Sequence, residues 1–320
     1  MKVGVQSKGI IIDTNIEEGF QRIKEAGFQC IDFSLDQYMV NSDIYAGKNL
    51  HFFDKSEDEI RDYFSKHHDY AKKYGLSYSQ MHMPYPLYVY GKEEISQYMW
   101  EQVVPKSLLV CETLECPYIV VHPFKIRTQL GIEAEKEENI RFFKKLIPML
   151  RGKTYKICFE NLYENRNGRL VPGVCAYPEE AIYYLDTLNE MAGEECFGFC
   201  FDVGHANLIG MDMYRMITML GNRLKVLHLH DNDGIYDLHQ IPYTFTRERG
   251  KALATDWEGV LQGLRDIGFG GTLSFETYPG MSCFPESIKQ KVLELIAEIG
   301  KEMQQRILIF PTPDSEVTLY

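Results

Sequence analysis

The sequence predicts an α/β protein built as a single (β/α)8 barrel, a TIM barrel. Short apolar runs rich in β-branched and aromatic residues alternate with amphipathic segments of helical spacing, which is the pattern of a parallel α/β protein. An open doubly wound sheet would normally carry a Gly-rich first turn, and none follows the first run. The length of 320 residues is ordinary for such a barrel with insertions. The eight runs are VGVQ (3–6), CIDFSL (30–35), LSYSQMHMPY (76–85), YIVVHPF (118–124), KICFEN (156–161), FGFCFDVGH (197–205), VLHLHDND (226–233) and GTLSFET (271–277).

The segments between the runs have the periodicity of amphipathic helices. Ile16, Phe20 and Ile23 fall on one face of the first segment. Ser56, with Glu59 three residues later, forms a capping-box pattern that predicts where the second helix begins. Later helices are predicted at about 93–115, 136–151, 178–192, 212–221, 255–268 and 285–305.

Two connections are longer than the link from a strand to the next helix requires, residues 37–55 after the second run and residues 234–254 after the seventh. We expect both to lie over the C-terminal rim of the barrel, where their aromatic and cationic side chains can close on a polar ligand. Ordinary loop decoration is the alternative. The predicted division is a catalytic barrel domain at 1–306 and a C-terminal tail at 307–320, to which no chemistry is assigned.

Composition excludes several classes of protein. The formal net charge of −12 argues against a surface that wraps nucleic acid or an anionic membrane. The eight cysteines form no CxxC pair, which favours buried, reduced thiols over a disulfide framework. The chain opens directly on a strand-like run, and no apolar stretch approaches the roughly 20 residues that a bilayer span needs. These features predict a cytoplasmic protein without a signal peptide or a membrane partner.

Metal-ligand residue types recur where the runs end. In a closed parallel barrel the C-terminal ends of all strands meet at one rim, and active sites of this fold are built there. Side chains far apart in the sequence would therefore surround one point. The residues concerned are His82, His122, Glu160, Asp202, His228 and Glu276.

Glu160, Asp202, His228 and Glu276 supply three carboxylates and one imidazole on consecutive strands. This oxygen-rich set suits Mn²⁺ best, with Mg²⁺, Co²⁺ or Zn²⁺ as the other ions it can bind. An ion held here would polarise a carbonyl and stabilise the enediolate formed when the neighbouring carbon loses a proton. Glu160 and Glu276 are then the predicted catalytic residues, one removing the proton and the other returning it. A network of ion pairs at the rim is the structural alternative.

The sixth and seventh runs carry additional histidines. His205 follows Asp202 by three residues, and we expect it to contact the substrate or a second ion unless it is a core histidine. His228 and His230 share one strand face because side chains alternate with a period of two, so either can be the ligand on that strand.

Four more residues are candidate metal or substrate ligands. His82 and His122 end neighbouring strands and together can hold a further ion, although each alone is more typical of a hydrogen-bonded rim histidine. Asp237 and His239 lie in the second long connection, where they are either further ligands or solvated loop residues.

Seven short motifs, taken in order, resemble the xylose-isomerase-like TIM barrel superfamily, which includes sugar isomerases and epimerases and the bacterial AP endonucleases (AP endonuclease family 2). The resemblance covers roughly residues 1–300. Each motif alone is weak, but the set in this order is strong. The motifs are HxPY at 82–85, VVHP at 120–123, FEN at 159–161, DVGH at 202–205, HLHDNDG at 228–234, DW at 256–257 and LSFE at 273–276.

The resemblance implies roles for the rim residues. In the ketohexose epimerase-like members, the positions that match Glu160, Asp202, His228 and Glu276 bind one divalent ion, and the two glutamates exchange the proton. The ligand histidine of the family precedes an acidic residue by three positions, which selects His228 over His230.

The endonuclease-like members of the superfamily imply a larger metal site, because they use nine ligands for three zinc ions. In the epimerase-like members, by contrast, the position that matches His205 contacts the substrate. The metal inventory alone therefore does not separate the two branches. This chain can match all nine endonuclease positions: His82, His122, Glu160, Asp202, His205, His228, Asp237, His239 and Glu276.

The leading prediction is a divalent-metal-dependent sugar isomerase or epimerase that works through an enediolate on a small ketose or sugar derivative. His205, His122, Lys125 and Arg247 are the expected substrate contacts. The alternatives are a metal-dependent lyase or dehydratase on a keto-sugar, a zinc-dependent AP endonuclease acting on abasic DNA, and a catalytically silent barrel. Nucleic acid is disfavoured because the connection 37–55 carries few cations for phosphates. The resemblance allows a homo-oligomer.

Overall fold

The computed structural model describes residues 1–48, 50–126, 130–245 and 254–309. Each of the eight apolar runs forms a parallel barrel strand, so the predicted fold is confirmed. A two-stranded antiparallel hairpin, β6 (Tyr163–Arg166) and β7 (Arg169–Pro172), is inserted after the fifth barrel strand. The barrel strands are β1 (Lys2–Gln6), β2 (Cys30–Ser34), β3 (Ser77–His82), β4 (Tyr118–Val121), β5 (Lys156–Glu160), β8 (Phe197–Asp202), β9 (Leu224–His228) and β10 (Thr272–Phe275).

The sheet closes on itself. Its strand order is β10-β1-β2-β3-β4-β5-β8-β9, with every neighbouring pair parallel. Past the end of β9, Leu229 donates its N–H to the carbonyl of Ser274 at 2.8 Å and accepts from the N–H of Glu276 at 3.1 Å. These two bonds join the last strand to β10, so the C-terminal ends of all eight strands form one continuous rim.

Helices surround the barrel. The second long helix begins with the predicted capping box, in which Ser56 accepts from the N–H of Glu59 and the Glu59 carboxylate accepts from the N–H of Ser56. A π-helical segment, Met99–Val103, joins two shorter helices where one helix is predicted at 93–115. The helices are α1 (Ile16–Ala26), α2 (Asn41–Ala46), α3 (Glu57–Tyr74), α4 (Glu93–Tyr98), α5 (Val104–Thr113), α6 (Ile132–Phe143), α7 (Ile147–Leu150), α8 (Pro178–Ala192), α9 (Val203–Leu208), α10 (Met213–Leu220), α11 (Trp257–Asp266), α12 (Tyr278–Ser282) and α13 (Glu286–Ile309).

The barrel interior is separate from the main core. Val120, Cys158, Cys200 and Val226 pack together as their own cluster, whereas most buried apolar side chains fill the layer between strands and helices. Strand side chains alternate between faces, so residues two positions further along each of these strands share the interior face. The interior rows therefore end at the rim in His122, Glu160, Asp202 and His228.

The structure describes part of each of the two long connections, the one after β2 and the one after β9. The one after β2 forms α2 and a 3₁₀ turn, Phe52–Asp54, and its Tyr38 stacks on Phe52 at 4.5 Å. Residues 246–253 of the one after β9 lie outside the described residues, as does 310–320 of the predicted tail. All eight cysteines are free, and Cys283 is the exposed one. Within the described part of the chain, no helix combines the length and apolar character needed to cross a bilayer.

Candidate metal centre

Glu160 lies at the centre of the rim site. Its Oε2 atom is 3.3 Å from Nε2 of both His82 and His122, and 3.4 Å from Nδ1 of His228. Its Oε1 atom is 3.1 Å from Nδ1 of His205. Side chains from four barrel strands and the start of α9 therefore meet at one buried carboxylate.

The four residues expected to bind the first ion are brought together. Nδ1 of His228 is 3.2 Å from Glu276 Oε2, 3.4 Å from Glu160 Oε2 and 3.8 Å from Asp202 Oδ2. Glu160, Asp202 and His228 are buried, and Glu276 is partly exposed towards the rim. Glu160 and Glu276 also line the rim cavity of about 90 Å³.

The charges in this quartet depend on one another. Burial opposes the charged form of each group. His122 and His228 nevertheless outweigh burial at Glu160 and hold the pKa of its carboxyl well below the ordinary value. Burial is likewise outweighed at His228 by Cys200, Glu276 and Glu160, which raise the pKa of its imidazole well above the ordinary value. Glu160 and His228 therefore each favour the charged form of the other.

A divalent cation fits this donor set. Among the described residues, Nδ1 of His228 is buried and has no hydrogen-bond partner, although three carboxylate oxygens surround it. Buried polar atoms without a partner are rare and costly. A cation coordinated by this nitrogen and by Glu160, Asp202 and Glu276 would satisfy it and replace the proton, since ligand histidines bind metals in their neutral form.

Two hydrogen-bonded motifs position the acidic ligands. Asn161 accepts from the N–H of Asp202 and donates its amide to the Asp202 carbonyl, both at 2.8 Å, which ties the ends of β5 and β8 together. Asp202 also caps α9 by accepting from the N–H of His205 at 2.6 Å. Gly204 permits the close approach of His230, because a Cβ there would lie 1.9 Å from the imidazole Cε1.

His82 and His122 form a second group with Glu160. Their Nε2 atoms face each other at 3.2 Å. His82 donates from Nδ1 to the carbonyl of Met83 at 2.8 Å, so the lone pair of its Nε2 points into the site. Tyr85 lies against the ring of His122, with centroids 4.0 Å apart. Together with Glu160, these two histidines form a group that could hold a metal ion.

Asp237, His239 and His205 form a third group. Asp237 Oδ2 is 3.2 Å from Nε2 of His239 and 3.5 Å from Nε2 of His205. His230 stacks on His239 at 3.9 Å, and its Nε2 lies 3.1 Å from both oxygens of Asp202. His228 thus places Nδ1 beside Glu160, Asp202 and Glu276, and His230 forms a group with Asp202 and Glu276 that could also hold a metal ion.

Two further residues, Lys125 and Arg247, were predicted to contact the substrate. Lys125 lies farther out, with Nζ 4.0 Å from Glu164 Oε1 and its side chain partly exposed. Arg247 lies outside the described residues. The structure also brings in Gln6, which donates from Nε2 to Glu276 Oε1 at 2.5 Å, and Lys8, which pairs with Asp36 at 2.5 Å.

Asp32 is a buried acidic residue in the barrel beneath the rim, and sequence reasoning did not single it out. Its Oδ2 is 3.3 Å from Nε2 of His228, on the side of the ring away from the rim carboxylates. It accepts from Nε2 of Gln80 at 3.1 Å. A charged residue within the apolar run CIDFSL was the signal that could have identified it.

Comparison with known proteins places the chain among barrels of one type. A family model described as "Xylose isomerase-like TIM barrel" matches residues 20–299. The uncharacterized protein y4fM of Sinorhizobium fredii is 31% identical over 80 residues, a match that spans 25% of this chain and only 23% of that protein.

Solved structures agree on the fold. A D-tagatose 3-epimerase-like protein is 18% identical, with a TM-score of 0.65 over 94% of this chain and 99% of its own. D-psicose 3-epimerase, solved in the presence of D-fructose, is 13% identical with a TM-score of 0.65 over 96% and 99%. An IOLI protein with a bound zinc atom is 17% identical with a TM-score of 0.61 over 96% and 98%.

Proposed function

Because this chain belongs to the xylose isomerase-like TIM barrel family, we propose that it is a divalent-metal-dependent isomerase or epimerase of a small keto-sugar or sugar derivative. One observation carries the proposal: Glu160 and Glu276 approach the same nitrogen of His228 at 3.4 and 3.2 Å. The ligand set thus contains two carboxylates beside one ion position, which is what a proton transfer on a bound sugar requires. The structural similarity to a D-tagatose 3-epimerase-like protein and to D-psicose 3-epimerase is consistent with this chemistry.

Glu160, Asp202, His228 and Glu276 would hold the ion, with Mn²⁺ as the preferred metal and Zn²⁺ supported by the zinc-bound neighbour. When bound, the ion polarises the substrate carbonyl and stabilises negative charge on the adjacent oxygens. His205 lies beside the quartet, and its Nε2 faces the cavity near Asp237, so it would contact a substrate oxygen.

The two glutamates would move the proton. Glu160 would take the proton from the carbon next to the carbonyl, because its carboxylate lies at the centre of the site, within 3.4 Å of three imidazoles. Glu276, held by the amide of Gln6, would return it. A lyase or dehydratase on a keto-sugar would begin with the same proton abstraction and differ only in the group that leaves.

A zinc-dependent AP endonuclease is the second candidate, because all nine ligands of such a site lie in three adjacent groups. The cationic side chains that line the rim cavities favour the sugar reaction over the endonuclease reaction. Among the described residues, Lys8 and Lys125 are the lysines or arginines that line the rim cavities, and each lies beside a carboxylate. In this described part of the chain, little free positive charge remains for DNA phosphates.

The proposal is tested by solvent-hydrogen exchange. The Mn²⁺-loaded protein is incubated in deuterated water with a panel of ketoses and inososes, and NMR identifies the carbon that exchanges. Glu160→Gln and Glu276→Gln should each lower the exchange rate by about 10²–10⁴-fold, because a general acid–base contribution of that size is lost.

Glu298→Gln is the matched control, since Glu298 is exposed and pairs only with Lys301 among the described residues. This variant should exchange at the wild-type rate, and circular dichroism should show all three variants folded. Wild-type exchange in both Glu160→Gln and Glu276→Gln would overturn the proton-relay assignment.

A further inference from the structure

A second, larger cavity continues outward from the metal centre. The inner cavity has a volume of about 90 Å³, and the outer one about 690 Å³. Four residues, Tyr85, His122, His205 and Asp237, line both cavities. The outer chamber therefore adjoins the inner cavity, which Glu160 and Glu276 line.

Aromatic rings line much of this outer chamber. They come from α2, from the loops that follow β3 and β4, and from β6. Tyr88 lies 4.6 Å from Phe124, and Tyr163 lies 5.1 Å from His205, in both cases between ring centroids. The aromatic lining residues are Tyr45, Tyr85, Tyr88, Tyr90, Phe124 and Tyr163.

The polar groups of the chamber suit a neutral, hydroxylated ligand. Asn41 and Asn165 contribute side-chain amides that can donate to or accept from hydroxyl groups. Lys125 is the one lysine or arginine among the described lining residues, and its ammonium lies 4.0 Å from the carboxylate of Glu164. A phosphate in the chamber would meet this carboxylate as well as the lysine, whereas a ring with hydroxyl groups meets no such conflict.

The size of the chamber exceeds what a monosaccharide needs. Its volume falls within the range of about 300–1,000 Å³ that is typical of sites for drug-sized molecules, and the inner cavity falls well below it. From the volume, the aromatic walls and the near-neutral charge, we infer that the substrate is a keto-glycoside, whose carbonyl-bearing sugar ring lies at the metal centre and whose second ring lies in the outer chamber. The placement of the first ring rests on the proposed function.

Binding to the Mn²⁺-loaded protein tests the inference. Isothermal titration calorimetry compares methyl glucopyranoside with phenyl glucopyranoside, in both anomers, and with cellobiose. A second ring stacked on the chamber walls should tighten binding about 3- to 12-fold over the methyl glycoside. Preference for the phenyl glycoside would identify an aromatic second ring, and preference for cellobiose would identify a sugar.

Two substitutions test whether the second ring binds in the outer chamber. Tyr45→Ala and Tyr88→Ala should each reduce the preference for the second ring, while Tyr183→Ala, a tyrosine exposed on α8 outside both cavities, should keep it. Tyr45 is half exposed, so its truncation should leave the fold intact. Equal affinity for methyl, phenyl and cellobiosyl ligands would overturn the inference. The exchange assay with free ketoses separately decides the proposed function.

Discussion

Carboxylates lie near both nitrogens of the His228 ring. The rim carboxylates surround its Nδ1, and Asp32 lies 3.3 Å from its Nε2 inside the barrel. A carboxylate on the far nitrogen of a ligand histidine fixes the ring orientation and makes the ligand more basic. We therefore expect Asp32 to help orient the His228 ring, although it forms no hydrogen bond to Nε2 in the structure and does not line the rim cavities.

Replacing Asp32 by Asn should weaken Mn²⁺ binding by about 10–100-fold, the usual effect of losing such a partner. The amide keeps the size of the side chain but removes the carboxyl group, so the fold should survive. Calorimetric titration with Mn²⁺ measures the change. Asp266→Asn, at an exposed residue bonded to Tyr214, is the control. An unchanged Mn²⁺ affinity in Asp32→Asn would show that Asp32 has no part in the site.

Individual side chains were predictable to different degrees. The residue types at the strand ends identify Glu160 and Asp202 because chain topology alone carries them to the rim. The choice between His228 and His230 stays open from strand periodicity, since both share a face, and it needs side-chain orientation. Gln6 ends the first run without a metal-ligand type, so only its contact with Glu276 reveals it.

At the scale of single elements, α3 contains a buried histidine in an aromatic cluster. His67 donates from Nδ1 to the Tyr63 carbonyl at 3.3 Å, and its Nε2 accepts from the hydroxyl of Tyr38 at 3.4 Å. Its ring lies 5.4 Å from that of Phe33 on β2. Burial lowers the pKa of His67 to about 4, so the residue is neutral in the folded protein at physiological pH.

This shift makes stability depend on pH. Between pH 6.5 and about 4 the unfolded chain binds more protons at His67 than the folded chain does. The stabilising contribution is therefore complete above pH 6.5 and is lost as the pH falls towards 4. When the pH is lowered from about 7 to 5, the free energy of unfolding of His67→Gln should fall by about 2 kcal/mol less than that of the wild type.

Urea titrations at the two pH values measure this difference. His51→Gln, at a histidine with an exposed side chain, should keep the wild-type pH dependence. A pH dependence in His67→Gln equal to that of the wild type would show that protonation of His67 does not contribute.

The hairpin of β6 and β7 shows what element prediction missed. Its strands, YENR and RLVP, are largely polar or partly exposed and lack an apolar run. The pair Asn167–Gly168 between them has positive φ angles of 53° and 83°, which is the conformation that a two-residue hairpin turn requires. The Asn-Gly dipeptide was thus the sequence signal for this hairpin, but a (β/α)8 barrel does not require a hairpin at this point.

At the scale of the whole molecule, the alternation of apolar runs with helical segments predicted the fold. Eight apolar runs separated by helical segments specify a closed parallel sheet, and closure brings all strand ends to one rim. The number of ions is not contained in that pattern. Glu160 belongs to three candidate ligand groups, in each of which the ligand atoms lie within 4.8 Å of one another, so the same residues are compatible with one ion or several.

The central claim is that Glu160, Asp202, His228 and Glu276 bind one catalytic divalent ion. Anomalous X-ray diffraction from crystals grown with Mn²⁺ tests it most directly. We expect a manganese peak bonded to the three carboxylates and to Nδ1 of His228. The absence of a peak between these four side chains, with ions bound only beside His82 and His122 or not at all, would contradict the account.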